Sequence, residues 1–181
     1  MRIISGKHKG IRITAPKKLP VRPTTDMAKE ALFNILNNNY YFDEVVVLDL
    51  FSGIGSVSLE FASRGVLEVT SVDKHKACSS FLQETANKLA LELNVINNDV
   101  YRYLEKNTKQ YDIIFADPPY AFLQDQFEKI HHLVFNNNLI TNDGMLIIEH
   151  SKKTDLSKLP HFVKERKYGG NCFSFFELIT V

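Results

Sequence analysis

The most informative chemistry of the chain lies directly after the apolar run 113–116, in the consecutive residues Asp117, Pro118, Pro119 and Tyr120. An exocyclic base amine has its lone pair delocalised into the ring, so it becomes nucleophilic only when acceptors hold its hydrogens. Asp117 and the carbonyl of Pro118 are such acceptors, and each proline stiffens the loop because it fixes φ and lacks an N–H. Tyr120 offers an aromatic face for a base that has left its stack. The four residues predict chemistry at a base amine; the alternative is a plain strand-ending turn with a core tyrosine.

A second group of residues is spaced as a nucleotide-like ligand requires. A strand pattern ends around Asp49, and Gly53 and Gly55 follow it before a helix pattern begins. Ligands of doubly wound α/β sheets bind at the carboxyl ends of strands, where glycines let the backbone approach closely and Asp49 can meet a cationic amine. A glycine pair alone is weak evidence, because a tight strand-to-helix turn has the same composition.

Two acids after the next strands strengthen this interpretation. Asp73 ends the second strand about 20 residues after the glycines, where a carboxylate accepts hydrogen bonds from a ribose diol. Asp99 follows the third strand, within reach of an adenine amine, although a turn explains it equally well. Ser58 stands where a dinucleotide motif would have its third glycine. The pattern therefore favours an adenosine with a charged tail over a dinucleotide.

The elements that position these residues alternate short β-branched runs with helix-like stretches, as in a parallel sheet covered on both faces. The expected strands are 45–50, 67–72, 93–96, 112–116 and 145–149, and the expected helices are 27–36, 56–63, 76–91 and 123–134. Thr24, Thr25 and Asp26 are N-cap candidates for the first helix. Residues 162–168 and 173–180, joined by Gly169-Gly170-Asn171, predict a closing hairpin.

The N-terminal segment is basic although the whole chain has a formal net charge of only +1. Apolar residues on both sides of a glycine-bounded turn predict a hairpin with Lys7, His8 and Lys9 at its tip. Residues 1–30 carry eight Lys or Arg against two acids, a net charge of +6. This asymmetry predicts contact with a polyanion, with a merely solvated basic arm as the alternative. We divide the chain into a hairpin and linker, 1–26, and a main domain, 27–181.

Length and composition exclude several classes of protein. A chain of 181 residues with 44% hydrophobic and 24% charged residues fits one folded domain. No apolar run reaches the ~18 to 20 residues of a membrane span, and the N-terminus lacks the features of a secretory signal. We therefore expect a cytoplasmic protein. Cys78 and Cys172 have no cysteine or histidine at metal-ligand spacing, so neither a zinc site nor a disulfide is expected.

In this order the motifs resemble those of the class I S-adenosylmethionine-dependent methyltransferases, and more narrowly the RsmD-type family of bacterial 16S ribosomal RNA guanine-N2 methyltransferases. The segments that carry the resemblance are 2–6, 22–26, 30–36, 48–53, 117–120 and 149–150. It implies a Rossmann-like α/β fold: a mostly parallel seven-stranded sheet with an antiparallel last strand, helices on both faces and an N-terminal β-hairpin. The implied products are N2-methylguanine in 16S RNA and S-adenosylhomocysteine.

The resemblance also assigns roles to residues. Contacts with S-adenosylmethionine are expected from Asp49, Phe51, Ser52, Gly53, Gly55, Asp73, Lys74, Asp99 and Val100, and contacts with the target base from residues 117–120. RNA contacts are expected from Arg2, Lys7, Lys9, Arg12 and Arg22. The expected partner is 16S RNA in a small subunit or an assembly intermediate, with no metal and no membrane. The chain departs from the family at 27–29 and in the glycine loop at Ile54 and Ser56.

Three other functions stay open from the residues alone. The same four-residue motif could hold the N6 amine of adenine in DNA or RNA, or the side-chain amide of a glutamine in a protein. The basic N-terminus favours nucleic acid over protein. A non-enzymatic RNA-binding or ribosome-assembly module with a vestigial cofactor pocket is the third alternative, which the intact Asp117 motif and Asp73 disfavour. Glu149 and His150 match the family without an evident chemical role beyond a strand-end hydrogen bond.

Overall fold

The computed structural model describes residues 1–19 and 24–178, in which one sheet of seven strands runs in the order β3-β2-β1-β4-β5-β7-β6. Its strands are β1 Val46–Leu50, β2 Glu68–Asp73, β3 Asn94–Asn97, β4 Tyr111–Ala116, β5 Ile140–Ser151, β6 Phe162–Tyr168 and β7 Asn171–Glu177. The pairs from β3 to β5 are parallel, and β7 runs antiparallel to both β5 and β6. The predicted mostly parallel sheet with a reversed last strand is confirmed.

Helices cover both faces of this sheet. They are α1 Asp26–Asn37, α2 Ser56–Ser63, α3 Lys76–Lys88, α4 Val100–Lys106 and α5 Gln124–Asn136, with a short 3-10 turn at Phe42–Glu44. The strands alternate between the two layers: Leu48 and Ile114 pack with α4 and α5, whereas Val47 and Ile113 pack with α1 and α2. Because both faces are buried, the central strands β1 and β4 are mostly apolar. None of the helices in the described residues has the length and apolar character to cross a membrane.

Two elements differ from the sequence-based expectation. The helix α4 was not expected, because it is seven residues long and buries only Val100 and Leu104, too few for a helical period to show. Strand β5 begins at Ile140 rather than at 145, because Tyr111 pairs with Ile140 across an irregularity in the register. The turn-like residues 142–144 hid this early start.

The closing hairpin also differs in detail. Asn171 was assigned to the turn, but it is the first residue of β7 and pairs with Tyr168 on β6 and Ser151 on β5. The connection between the strands therefore consists of Gly169 and Gly170 alone. Strand β7 ends at Glu177, and Thr180, where we expected it to end, lies outside the described residues.

The expected N-terminal hairpin is present as a single antiparallel bridge between Arg2 and Arg12. Backbone hydrogen bonds support it, including Ile3 N–H to the carbonyl oxygen of Ile11 at 3.0 Å. The side chains of Ile3 and Ile13 are buried together with three residues of the helices: Leu59, Leu82 and Ala86. The hairpin therefore packs against α2 and α3 through an apolar cluster.

A buried carboxylate fixes the hairpin to α2. Glu60 is fully buried and accepts hydrogen bonds from the N–H groups of Ile4 at 2.8 Å and Ser5 at 3.0 Å. Lys29 Nζ lies 3.7 Å from the same carboxylate and donates to the carbonyl oxygen of Arg2 at 2.6 Å. Burial lowers the pKa of Lys29, and Glu60 opposes that shift. Lys29, which contributes to the basic charge of the N-terminal segment, is thus a structural residue and does not face a partner.

Two glycines of the hairpin tip provide a test of this docking. Gly6 and Gly10 both have positive φ, +81° and +88°, so alanine is strained at either position. A Cβ at Gly6 would also lie 1.9 Å from the carbonyl oxygen of Ser63, whereas one at Gly10 meets nothing within 4 Å. We expect Gly10→Ala to lower the free energy of unfolding by about 1 kcal/mol, and Gly6→Ala by about 1–3 kcal/mol more. Urea unfolding measures both, and equal losses would contradict the docking of the tip on α2.

Candidate active site

The carboxyl ends of β1, β2 and β4 open into a cleft of about 520 Å³. Most of the residues that we expected at a cofactor and base site line it, although they come from four separate parts of the sequence. They are Asp49, Phe51, Ser52, Gly53, Asp73, Lys74, Asp99, Val100, Asp117, Pro118, Pro119 and Tyr120. Parallel pairing brings them together, because the strands that precede them end at the same edge of the sheet.

Gly55 is the one expected cofactor residue that does not line the cleft. It is the N-cap of α2 with φ +82°, and a Cβ there would lie 2.1 Å from Cδ1 of Leu82 on α3. Glycine is therefore required by the turn and by the close packing of α2 on α3. The presence of glycine at position 55 is therefore explained without direct contact between Gly55 and a ligand.

The glycine loop is tied to the acid at the end of β2. The Asp73 carboxylate accepts the N–H of Gly53 at 2.8 Å through Oδ2 and the N–H of His75 at 2.7 Å through Oδ1. Phe51, between β1 and Gly53, has φ 60°, a left-handed conformation that is strained for a non-glycine residue. Because each carboxylate oxygen has a second lone pair, Asp73 can still accept hydrogen bonds from a diol.

Asp49 is a buried acid on the wall of the cleft. Its Oδ2 accepts a short hydrogen bond from the Ser58 hydroxyl, which in turn accepts one from Ser71 Oγ at 2.7 Å. Burial raises the pKa of Asp49 to about 7; the Ser58 hydrogen bond opposes the shift, and the negative charge of Asp73 adds to it. In the sequence, Ser58 was notable only because it stands where a dinucleotide motif has its third glycine. In the structure, its hydroxyl is the hydrogen-bond donor to Asp49.

Asp117 lies beside a second carboxylate that the sequence left without a role. Burial raises the pKa of Asp117 well above its ordinary value, with further contributions from the negative charges of Glu149 and Asp49. Burial also raises the pKa of Glu149, opposed by hydrogen bonds from Asn171 Nδ2 and, at 3.4 Å, from Thr24 Oγ1. The cleft therefore concentrates acidic groups, and a ligand that carries positive charge would relieve their repulsion.

An aromatic wall near Asp99 and Val100 was not predicted. Phe122 packs edge-on against Phe51, with ring centroids 5.5 Å apart, and stacks with Tyr101 at 6.4 Å. Tyr101 lies on the unexpected helix α4, and no spacing in the sequence links Phe122 to the motifs. The lining residues that we did not anticipate are Thr24, Ile54, Ser56, Val57, His75, Cys78, Tyr101, Phe115, Phe122 and Gln126.

Asp99 has a structural task as well as a place in the cleft. It is the N-cap of α4, where its side chain accepts the N–H of Arg102 at 3.1 Å. Both interpretations of Asp99 from the sequence are therefore compatible with its position. Tyr120, at the cleft rim, is 60% exposed, and its hydroxyl donates to Asn171 Oδ1 at 3.1 Å.

The expected RNA-binding residues fall into two exposed groups. Arg2 and Arg12 border an open depression of about 400 Å³, and Arg2 pairs with Asp26 at 3.1 Å, close in sequence to the cleft residue Thr24. Lys7 and Lys9 lie at the hairpin tip, which contacts Ser63 at the far end of α2. Since α2 starts at the cleft with Ser56, its eight residues separate that tip from the cleft by about 12 Å. Arg22 lies outside the described residues.

Strand pairing brings together three possible metal ligands that sequence spacing did not indicate. His150 pairs with Cys172, and their ligand atoms and those of Glu165 all lie within 4.8 Å of one another. The Nδ1–H of His150 donates to the Ser151 carbonyl oxygen at 2.9 Å, and Nε2 accepts from Ser174 Oγ at 2.8 Å. Burial lowers the pKa of His150. These two hydrogen bonds satisfy both ring nitrogens of the buried, neutral His150, so its burial is explained without a metal ion.

Comparisons with known proteins agree with this geometry. The family described as conserved hypothetical protein 95 matches residues 1–177. A protein named ribosomal RNA small subunit methyltransferase D, from Buchnera aphidicola subsp. Baizongia pistaciae, is 35% identical over 160 residues, which cover 88% of this chain and 79% of that protein. The solved structure of a hypothetical protein from Thermus thermophilus superposes with a TM-score of 0.85 at 27% identity, covering 98% and 99% of the two chains.

A more distant structure shares the fold alone. The Thermus thermophilus 16S rRNA N2 methyltransferase RsmC, solved in complex with AdoMet and guanosine, has a TM-score of 0.72 at 21% identity. The superposition covers 88% of this chain and 45% of that one. The fold of this chain is therefore that of the class I methyltransferases.

The hydrogen bond to Asp49 makes a prediction about its titration. We expect the Asp49 carboxyl to titrate at about pH 7, and Ser58→Ala to move that titration to higher pH, because the lost hydrogen bond favoured the ionised form. Ser71→Ala is the matched control: it removes a hydroxyl that contacts Ser58 but not the acid, so its effect should be smaller. Carboxyl ¹³C chemical shifts followed against pH measure all three proteins. An Asp49 that titrates near the ordinary value of about 3.9 would contradict the assignment.

Proposed function

This chain belongs to the conserved hypothetical protein 95 family, and from that premise we propose that it transfers a methyl group from S-adenosylmethionine to the exocyclic N2 of a guanine in 16S ribosomal RNA. The relatives named ribosomal RNA small subunit methyltransferase D support the reaction and the RNA. The guanosine and AdoMet complex of the structurally similar 16S rRNA N2 methyltransferase supports the base and the donor. We place the reaction in the cytoplasm, on RNA within a small subunit or an assembly intermediate.

One observation carries the proposal. The rigid acceptor loop at Asp117 lines the same cleft as Asp73 and Asp99, the two acids expected to bind a nucleoside. A base amine held at Asp117 and a donor held at β1 and β2 would therefore be neighbours. Methyl transfer between them needs alignment more than acid or base strength, and a preformed cleft supplies that alignment.

The residues present fit S-adenosylmethionine, which supplies a methyl group activated by a sulfonium centre. Its adenine suits the aromatic wall of Phe122 and Tyr101 next to Asp99, its ribose diol suits the carboxylate of Asp73, and its cationic groups suit the buried acid Asp49. The cleft volume of about 520 Å³ is within the range of small-molecule sites. We propose that Phe51, Ser52, Gly53, Lys74 and Val100 complete this site.

The chain itself positions and activates the base. The Asp117 carboxylate and the Pro118 carbonyl oxygen accept the hydrogens of N2, which turns its lone pair toward the donor. Tyr120, exposed at the rim, offers its ring to the flipped base. The positive charge of the donor favours the ionised form of Asp117. Because charge develops on N2 as the bond forms, this carboxylate stabilises the transition state more than the ground state. The side chains of this mechanism act through hydrogen bonds and stacking. The methyl group exchanges its bond to sulfur for a bond to N2, and the proton that N2 then loses is released to water.

Transfer of labelled methyl from S-adenosylmethionine to unmethylated small-subunit RNA, free and in subunits, tests the proposal. We expect labelled N2-methylguanine after digestion to nucleosides, and Asp117→Asn to lower kcat by about 10²–10³-fold because a neutral amide is a weaker acceptor. The Kd of the donor, measured by calorimetry, should change little.

The matched control for that variant is Asp125→Asn, which removes one exposed negative charge at the start of α5 without touching the loop. It should keep the turnover of the unaltered protein. Labelled N6-methyladenine would select an adenine methyltransferase instead, and absence of label from both RNA substrates would contradict RNA methylation.

The basic hairpin tip makes a separate prediction about RNA affinity. If Lys7 and Lys9 contact phosphates, the double variant Lys7→Glu, Lys9→Glu should bind RNA more weakly, with a smaller salt dependence, by about 0.7–0.9 in slope for each lost contact. Lys106→Glu is the control, because this exposed lysine ends α4 on the opposite face of the sheet. Filter binding between about 50 and 200 mM salt gives the slopes. If the double variant has the same salt slope as the control, Lys7 and Lys9 do not contact the RNA.

A further inference from the structure

Building on the proposed function, we propose that Asn171 is a positioning residue for the target base, because its side chain links the buried carboxylate of Glu149 to the phenol of Tyr120. In this arrangement the closing hairpin, and not only the Asp117 loop, determines where the aromatic ring stands at the cleft rim.

Both polar atoms of the Asn171 side-chain amide make hydrogen bonds. Its Nδ2 donates to Glu149 Oε1, and its Oδ1 accepts the hydroxyl of Tyr120 at 3.1 Å. The hydrogen bonds from Asn171 and Thr24 favour the ionised form of Glu149 against its burial. An ionised carboxylate can only accept, so Glu149 orients the amide with its nitrogen inward and its oxygen toward Tyr120. The tyrosine hydroxyl can donate to that oxygen. The chemistry of the three groups thus permits one orientation of the bridge.

The inner end of the bridge is fixed by burial. Glu149 is 3% exposed, and Thr24 Oγ1 donates to its other oxygen at 3.4 Å. Burying a carboxylate is costly unless it is hydrogen-bonded, so both donors stabilise it in place. Because Thr24 lies just before α1, this end of the bridge is connected to the N-terminal part of the chain as well as to β5.

The backbone places Asn171 where it can make both contacts. As the first residue of β7, it follows the Gly169-Gly170 turn directly and pairs with Ser151 on β5. Glu149 is paired with Phe173, so Asn171 and Glu149 are diagonal neighbours on one face of the sheet, within reach of long side chains. Tyr120 arrives from the loop after β4, the strand next to β5.

The contact matters because Tyr120 is exposed. A ring that is 60% exposed would have to be ordered when the base arrives, and ordering a side chain costs free energy of binding. The bridge holds the ring by its hydroxyl. Losing the bridge should therefore impair RNA turnover and leave the binding of the methyl donor intact.

Methylation kinetics of Asn171→Ala, Tyr120→Phe and the double variant test the proposal. Tyr120→Phe should lower kcat/KM for RNA by about fivefold, the effect of one hydrogen bond, and Asn171→Ala by at least as much, because it also removes the donor to Glu149. The double variant should lose no more than Asn171→Ala alone, because that variant has already removed the contact with Tyr120. The Kd of S-adenosylmethionine should stay within about twofold, the scale of the smallest hydrogen-bond effects. Losses that multiply in the double variant would overturn the proposal.

Asn94→Ala is the matched control, because Asn94 is likewise the first residue of a strand, β3, and does not line the cleft. It should keep the full kcat/KM for RNA. If Asn171→Ala behaves like Asn94→Ala, the positioning role is excluded.

A readout without RNA separates this proposal from the function on which it rests. In protein labelled with 3-fluorotyrosine, the ¹⁹F signal that is missing from Tyr120→Phe belongs to Tyr120. We expect Asn171→Ala to shift that signal and Asn94→Ala to leave it unchanged; no shift in Asn171→Ala would overturn the bridge. If the unaltered protein transfers no methyl to RNA while the signal shifts, the proposed function fails and the Asn171 contact stands.

Discussion

Parallel pairing of β2, β1, β4 and β5 sets side by side the carboxyl ends of four strands that each carry an acid at or near this end: Asp73, Asp49, Asp117 and Glu149. Burial raises the pKa values of Asp49, Asp117 and Glu149, and repulsion from neighbouring acids adds to the shifts of Asp49 and Asp117. Backbone N–H groups and hydroxyls stabilise these acids individually, through Gly53 and His75 for Asp73 and through Ser58 for Asp49. A cationic ligand reduces the repulsion that remains between these carboxylates. In the proposed reaction, S-adenosylmethionine loses its sulfonium charge when the methyl leaves, so the same acids would attract the product less than the donor.

A second buried acid connects the N-terminal segment to this site. Glu60 holds the hairpin backbone on α2, and α2 runs from Ser56 at the cleft to Ser63 under the hairpin tip. A charged segment fixed in this way presents its lysines at a set distance from the acids, instead of sampling many positions as a tail would. The lysines of the hairpin tip and the acidic cleft are therefore separated by the length of one helix. In the proposed function, this separation would let the hairpin tip hold phosphates while the cleft holds a cation, without mutual neutralisation.

The parts of the site that could be predicted are those in which a local sequence pattern coincides with a strand end. Asp49, Asp73 and Asp117 each follow or close an apolar run, so the alternation of strands and helices was enough to place them at one edge. The aromatic wall was not predictable in this way, because Phe122 meets Phe51 and Tyr101 only through tertiary packing. The helix α4 was hidden by its length. The start of β5 was hidden by the turn-forming residues 142–144, which lie between Ile140 and Met145, the positions that pair with β4. Asn171 was assigned to a turn because its glycine neighbours dominate the local signal.

The serine that replaces a third glycine explains why this cleft suits a sulfonium nucleoside better than a dinucleotide. In dinucleotide sites, the helix after the glycine loop points free N–H groups at a pyrophosphate, and the third glycine lets that helix pack close to the strand. Here Ser58 is fully buried and donates to Asp49, while the N–H of Gly53 is bound to Asp73. A pyrophosphate would meet two carboxylates and would find the Gly53 donor already bound. An amine or a sulfonium meets the same carboxylates favourably, so the hydrogen bonds of the loop select the charge of the ligand before any base binds.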